Sequence, residues 1–339
     1  MPRALITGIT GQDGSYLAEL LLDKGYEVHG VVRPTTVLEH SRLEHLYHNP
    51  EIYNRRLFLH PTSLHDYGAM RRIVVDAEPV EVYHLAGQTH VGLSFELVES
   101  TCELSAMGTL RLLELLRDVK VPARFFHASS SEIFGQPETA PQTEETPFRP
   151  VTPYGCAKVF ATNIVSIYRR TFNLFACNGI LYNHESPRRG ENFVTQKICL
   201  AAAAIKEGRQ PELVLGNTAS QRDWGDARDY VRGMWLSLQQ PTPEDFVFAT
   251  GELHSVQEVV EIAFAAVHLD WRKHVKTDPK LLRPEDPTRL VGNPARAKEK
   301  LDWKRSKTFK ELITEMTLAG LKKSKPSMPR SRTAKSSHA

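Results

Sequence analysis

Apolar residues in the first half of the chain fall in short runs separated by longer stretches with helical spacing. RALIT (3–7) is a compact apolar run that stops at a glycine, and over 15–25 Tyr16, Leu17, Leu20 and Leu21 share one helical face. The strand pattern returns in YEVHGVV (26–32), RLFLH (56–60), EVYHLA (81–86), ARFFHAS (123–129) and NLFACNGILY (173–182). Helical patterns near 64–77, 94–118 and 153–172 lie between these runs. Strands separated by helices of this length predict a doubly wound α/β fold, a parallel sheet with helices on both faces. Ligands of such sheets bind beyond the carboxyl ends of the strands.

The second half is less regular. A Pro/Arg-rich loop, a helix over 192–207 and a polar stretch occupy 183–224. DARDYVRGMWLSLQ reads as a helix and EDFVFATG as a strand; after about 270 come Pro279, Pro284, Pro287 and Pro294, then a last helix near 308–321. The expected division is a dinucleotide domain over 1–182 plus about 225–265, and a smaller mixed α/β substrate domain over 183–224 plus about 266–320. The second is assembled from discontinuous segments, with a cleft between the two.

Charge changes the picture only at the end. The net charge is +3, but Lys322, Lys323, Lys325, Arg330, Arg332 and Lys335 stand in a tail without a single acid, so the body is slightly acidic. A basic pI of this origin does not mark a nucleic-acid-binding face. The Ser-, Lys- and Pro-rich composition of 321–339 predicts a disordered tail. No stretch approaches the roughly 20 apolar residues of a membrane helix. Cys102, Cys156, Cys177 and Cys199 are widely spaced and form no CxxC pair, which points away from a disulfide scaffold or a zinc site and toward a reducing cytoplasm.

TGITGQDGSYLAELLL places Gly8, Gly11 and Gly14 between the first strand and the first helix. Glycines here let the backbone approach a pyrophosphate, and the helix N-terminus offers free N–H groups to it. Three glycines also make a plain tight turn; strand before and helix after turn the reading toward a dinucleotide in a Rossmann-like domain. A carboxylate at the end of the second strand would mark NAD. Arg33 stands there instead, and a guanidinium suits the 2′-phosphate of NADP. Arg42 is a second candidate. Leu85 and Ala86, with Gly87, follow the fourth strand and border the cofactor.

TPYGCAK holds Tyr154 and Lys158, four residues apart and therefore on one helical face, with Thr152 as expected N-cap and Pro153 at the first helical position. A nearby ammonium and the positive nicotinamide ring are expected to lower the tyrosine pKa from about 10 toward a working range. The fifth strand ends in HASSSEIFG, where Ser129, Ser130 and Ser131 offer hydroxyls and Glu132 follows. Glu132 reads either as a solvated loop acid or as a second acid/base beside the tyrosine.

These residues resemble the extended short-chain dehydrogenase/reductase superfamily and, within it, the GDP-mannose 4,6-dehydratase family. The resemblance covers about 1–320 and is carried by GITGQDGSYLAE, RLEHLY, SSEIFG, TPYGCAK, NGILYNHESPRRGENFVTQKI, QRDWGDARDYV and FATGELHSV. It implies an internal redox cycle on a GDP-sugar: Tyr154 takes the 4-hydroxyl proton, Glu132 removes the C5 proton and helps water leave C6, and hydride returns to C6. Ser130, where the family usually has threonine, keeps the hydroxyl. The resemblance also implies NADP contacts from Gln12, Asp13, Ser63, Leu64, His184 and Arg189. Substrate contacts follow for Asn183, Val194, Lys197, Arg222, Arg283 and Asp286. Two departures stand out: Ser63 replaces an aspartate that would touch adenine, and Asp286 replaces a longer glutamate. A homodimer or homotetramer is expected, with Arg188 and Arg189 near a neighbour's cofactor. A related GDP-manno-heptose dehydratase, an epimerase or a reductase shares most of these motifs; a silent NADP sensor needs none of the catalytic ones.

Overall fold

The computed structural model describes residues 1–281 and 289–323. The chain runs through β1 (Arg3–Thr7), α1 (Gln12–Asp23), β2 (Glu27–Val32), α2 (Glu44–Tyr47), β3 (Leu57–Pro61), α3 (Tyr67–Ala77) and β4 (Glu81–His84). Next come α4 (Val98–Cys102), α5 (Gly108–Val119), β5 (Arg124–Ser130), α6 (Pro153–Thr171), β6 (Ala176–Leu181), β7 (Asn183–Glu185), α7 (Val194–Lys206), β8 (Leu213–Leu215), β9 (Gln221–Arg222) and β10 (Trp224–Asp226). The chain then forms α8 (Ala227–Leu238), β11 (Phe246–Phe248), β12 (His254–Ser255), α9 (Val256–Ala266), β13 (Val275–Thr277), α10 (Ala295–Leu301) and α11 (Phe309–Lys323).

Seven strands form one parallel sheet in the order β11-β6-β5-β4-β1-β2-β3. The doubly wound expectation holds. Alternation in β1 shows how the sheet is covered on both faces. Ile6 packs with Leu17 and Leu21 of α1 and Met234 of α8, whereas Leu5 packs with Leu112 and Leu116 of α5 and Val165 of α6. Burial on both sides explains why the central strands read as continuous apolar runs.

The helical pattern over 94–118 forms three pieces: α4, a π-helical turn over Glu103–Met107, and α5. Thr101 and Thr109 each bond back to a carbonyl four residues earlier, at 2.7 and 2.8 Å, a contact that bends helices.

A second core gathers Ile198 and Ala202 of α7, Leu213 and Leu215 of β8, Val259, Val260 and Phe264 of α9, and Leu312, Ile313 and Met316 of α11. The expected division placed α9 in the dinucleotide domain; its apolar face is buried in this second core instead. Conversely, Leu290, Ala297, Leu301 and Trp303, expected in the substrate domain, pack with the first core. β7 pairs with β10, β9 with β12 and β8 with β13. The first of these pairs starts two residues after β6 ends, with only Tyr182 between, so it lies at the carboxyl edge of the large sheet.

Candidate active site

The glycine turn is shaped by close backbone contacts. Gly8 has φ +76°, and a Cβ there would lie 2.8 Å from the amide nitrogen of Ala86. A Cβ on Gly14 would lie 2.3 Å from the carbonyl oxygen of Gly8. The turn therefore seats directly on Leu85 and Ala86 at the end of β4, and α1 starts close beneath it. Gly11 caps α1 without a side-chain hydrogen bond, which leaves the first-turn amides for an anion.

Gln12, Asp13 and His184 come together, but their side chains bond one another. Asp13 Oδ2 lies 2.8 Å from His184 Nε2, and His184 Nδ1 lies 2.7 Å from the Tyr182 carbonyl. That carbonyl can only accept, so Nδ1 carries a proton. Burial opposes charge on both partners; the Asp13 carboxylate nevertheless raises the His184 pKa, and His184 lowers that of Asp13. Gln12 donates to the His184 carbonyl at 3.0 Å and accepts from the Ser186 hydroxyl at 2.8 Å. These three side chains thus clamp α1 to the β6–β7 return.

Arg33 is exposed one residue past β2. Arg42 donates to the Thr10 carbonyl at 3.2 Å and the Arg188 carbonyl at 2.6 Å. Arg188 pairs with Glu19 at 2.5 Å and stacks on Tyr16, so its guanidinium holds its own chain's α1. Arg189 lies over the Phe193 ring, 3.6 Å from its centroid, and pairs with Glu185. Ser63 is exposed and accepts from the His65 amide at 3.3 Å, while half-buried Leu64 would meet a Cβ on Gly108.

Tyr154 and Lys158 lie on the first turns of α6. Thr152 Oγ1 accepts from the Gly155 amide at 2.9 Å, with Pro153 beside it, as the sequence predicts. Ser130 lies near enough to the Tyr154 hydroxyl to lower its pKa, and it caps the turn after β5 by accepting from the Glu132 amide at 3.3 Å. A Cβ on Gly155 would lie 2.7 Å from the Glu132 carbonyl oxygen and 3.1 Å from Pro150. The absence of that methyl lets the Glu132 turn lie against α6. Gly155→Ala is therefore expected to destabilise the fold by about 1–3 kcal/mol, as overpacking does. Urea unfolding measures this; an unchanged midpoint would refute the packing argument.

The charges differ from the expectation. Burial drives the Tyr154 pKa up to about 12, against the lowering effect of the Ser130 hydroxyl and with a further rise from Glu132. Burial also lowers Lys158 to about 8. Lys158 Nζ donates to the Ala128 carbonyl at 2.7 Å and lies 5.9 Å from the Tyr154 ring centroid. Desolvation, which spacing does not reveal, is the largest cause of both shifts.

Asn183 lies at the start of β7, Val194 and exposed Lys197 on the first turn of α7, and Arg222 at the end of β9. Lys197 donates to the Val214 carbonyl at 3.0 Å and Arg222 to the Gln221 carbonyl at 2.7 Å. Arg283 and Asp286 lie outside the described residues, as does the chain from 324 onward.

Several groups around Lys158 escaped sequence reasoning. A Cβ on Gly87 would sit 3.1 Å from Ser105 Oγ and 4.0 Å from Lys158 Nζ. His84 bonds Thr7 and Thr109 at 2.8 and 3.1 Å, and His127 bonds Asn178 at 2.9 Å. Burial, then Lys158, lowers His84 to about 3 and His127 well below its usual value. A histidine in the apolar strands EVYH and RFFH was the available signal.

A family model described as GDP-mannose 4,6 dehydratase matches residues 5–316. The chain is 47% identical over 336 residues to the human GDP-mannose 4,6 dehydratase, covering 93% of this chain and 90% of that one. Among solved structures, the RMD protein of Pseudomonas aeruginosa, complexed with NADPH, superposes with TM-score 0.79 at 22% identity, covering 95% of this chain and all of that one. The dTDP-glucose 4,6-dehydratase of Bacillus anthracis, in complex with NAD, gives 0.81 at 19% identity and covers 96% and 98%.

Proposed function

Because the chain belongs to the GDP-mannose 4,6-dehydratase family, we propose that it removes water from GDP-α-D-mannose to give GDP-4-keto-6-deoxy-α-D-mannose. One observation carries this reading beyond a simple oxidoreductase. Gly155 brings the Glu132 turn against the helix that bears Tyr154, so two acid/base groups serve one site.

In this reading the glycine turn and the first amides of α1 hold a nicotinamide dinucleotide, which supplies the hydride acceptor and donor when bound. Tyr154 takes the proton from the sugar 4-hydroxyl while Ser130 donates a hydrogen bond to the same oxygen. The resulting 4-ketone acidifies the C5 proton. Glu132 accepts that proton and delivers one to the departing C6 hydroxyl; C6 then takes back the hydride removed from C4 and C5 takes a proton, which gives the 4-keto-6-deoxy sugar. Lys158, facing Gly87 across a gap without a side chain, holds the cofactor ribose. Asn183, Val194, Lys197 and Arg222 receive the GDP moiety, with Arg283 and Asp286 from the segment outside the described residues. The two cores form the two lobes of the cleft.

Incubation with GDP-mannose tests the reading: mass spectrometry records loss of water with no net change in NADPH. Net NADPH consumption means a reductase, and no product means a silent fold. The exposed apolar side chains Phe95, Leu97 and Val98 near α4, with Phe160 and Ile167 on α6, form the face we assign to pairing with a second copy of this chain.

The finer cofactor reading is NADP. Arg33, at the end of β2 and with no acid beside it, meets the 2′-phosphate. Arg33→Glu is expected to weaken NADP⁺ binding more than about tenfold, since a charge-assisted contact is worth about 1.5–3 kcal/mol. Calorimetry on protein stripped of nucleotide measures it. Equal wild-type affinity for NAD⁺ and NADP⁺ would refute the preference.

A further inference from the structure

A buried carboxylate lies between the two stretches assigned to the nucleotide-sugar. Asp223 is only 1% exposed and stands between Arg222 and Trp224, the residue in register with Asn183. Its carboxylate accepts four hydrogen bonds from three residues in two other stretches of the chain. Oδ1 takes the Thr250 amide at 2.8 Å and the Thr250 hydroxyl at 2.7 Å; Oδ2 takes the Gly251 amide at 2.9 Å and the Gly292 amide at 3.3 Å. The first two residues open the turn after β11, and the third lies on the chain that returns after residues 282–288.

The return chain is held a second time. Gln142, fully buried, accepts from the Val291 amide at 3.1 Å and from the Tyr182 hydroxyl at 2.8 Å, and donates to the Arg289 carbonyl at 3.1 Å. The contact is close: a Cβ on Gly292 would lie 2.4 Å from that of Ala249 and 2.6 Å from the Tyr182 ring. Asp223 therefore fixes three backbone stretches that have no ladder in common, and none of its four donors belongs to the catalytic group around Tyr154.

A carboxylate suits this task better than any neutral group. It presents only acceptors, and all four groups that face it donate. Hydrogen bonds to a charged acceptor are also stronger than neutral ones. An amide in its place would turn an N–H toward donors and lose part of the set.

We propose that Asp223 is a positioning residue for nucleotide-sugar binding: by gripping Thr250, Gly251 and Gly292 it sets the backbone of β9, and through Trp224 that of β7, so that Arg222 and Asn183 meet the GDP moiety. The proposal rests on the dehydratase reading for the identity of the ligand, but its test does not need the dehydration step.

GDP binding to the NADP-loaded protein is measured by calorimetry, and KM and kcat for GDP-mannose are measured alongside. Asp223→Asn is expected to weaken GDP binding and raise KM about tenfold, with kcat and NADP⁺ affinity within about twofold of wild type, the signature of lost ground-state binding. Thr250→Val removes the hydroxyl bond alone and is expected to raise both constants about threefold, whereas Thr250→Ser restores them. A purely structural role would lower the unfolding midpoint and kcat and leave GDP affinity of the folded fraction unchanged; that result overturns the proposal. If Asp223→Asn does not fold, Thr250→Val decides, and unchanged GDP affinity there overturns it too. Should the wild type bind GDP but fail to dehydrate GDP-mannose, the functional reading falls, while the GDP affinities still test Asp223.

Discussion

Tyr154→Phe is expected to cut formation of the 4-keto-6-deoxy product by at least about 10²–10⁴-fold, the usual worth of a general base. The substitution deletes one oxygen from a ring that is only 7% exposed, so packing survives. GDP-mannose affinity, read by calorimetry, should stay within about twofold because the hydroxyl acts on O4 only as the reaction proceeds. The protonation state gives a second readout. Burial holds the Tyr154 hydroxyl near pKa 12, so in the protein alone it is a phenol at neutral pH. A base must first lose its proton, and turnover of the wild type therefore rises as pH climbs toward the region where the phenolate forms. Tyr154→Phe removes that rising limb. Turnover within a few fold of wild type, or an unchanged pH profile, would overturn the assignment of Tyr154.

The parts of this site that depend on neighbours in sequence were legible in advance. β1 spans the five residues of RALIT, and Thr152 and Pro153 start α6 as their chemistry dictates. The four-residue spacing of Tyr154 and Lys158 carried over for the same reason. α9 was missed although Ser255 and Glu258 form a capping box ahead of an apolar run, a signal present in the sequence. Other features depend on contacts between distant stretches, and no spacing encodes them. Asp13 and His184 are 171 positions apart, and their pairing clamps α1 to the return after β6. Lys158 donates a hydrogen bond to the Ala128 carbonyl because the end of β5 lies under α6. The raised Tyr154 pKa follows from burial, which a sequence reading weighs poorly against visible charges.

Glu132→Gln separates dehydration from every other use of this architecture. Oxidation at C4 needs a proton acceptor at O4, the role proposed above for Tyr154 with Ser130. Elimination across C5 and C6 needs another acid/base further along the sugar, because one phenol cannot serve both ends. Glu132 is the only acid in HASSSEIFG. The turn that carries it is fixed twice, by the Ser130 cap at 3.3 Å and by the glycine-lined contact with α6. Its charge is felt by Tyr154, whose pKa it raises. Glutamine keeps the size and removes the base, so product formation should fall by about 10²–10⁴-fold. The first half-reaction should persist, visible as transient reduced-nicotinamide absorbance on adding GDP-mannose. Solvent deuterium entering C5 should fall together with product. Loss of the neighbouring negative charge should also move the Tyr154 titration downward, an effect that a misfolded variant would not give. Near wild-type release of the 4-keto-6-deoxy sugar by Glu132→Gln would remove Glu132 from the mechanism, and with it the two-base account of this site.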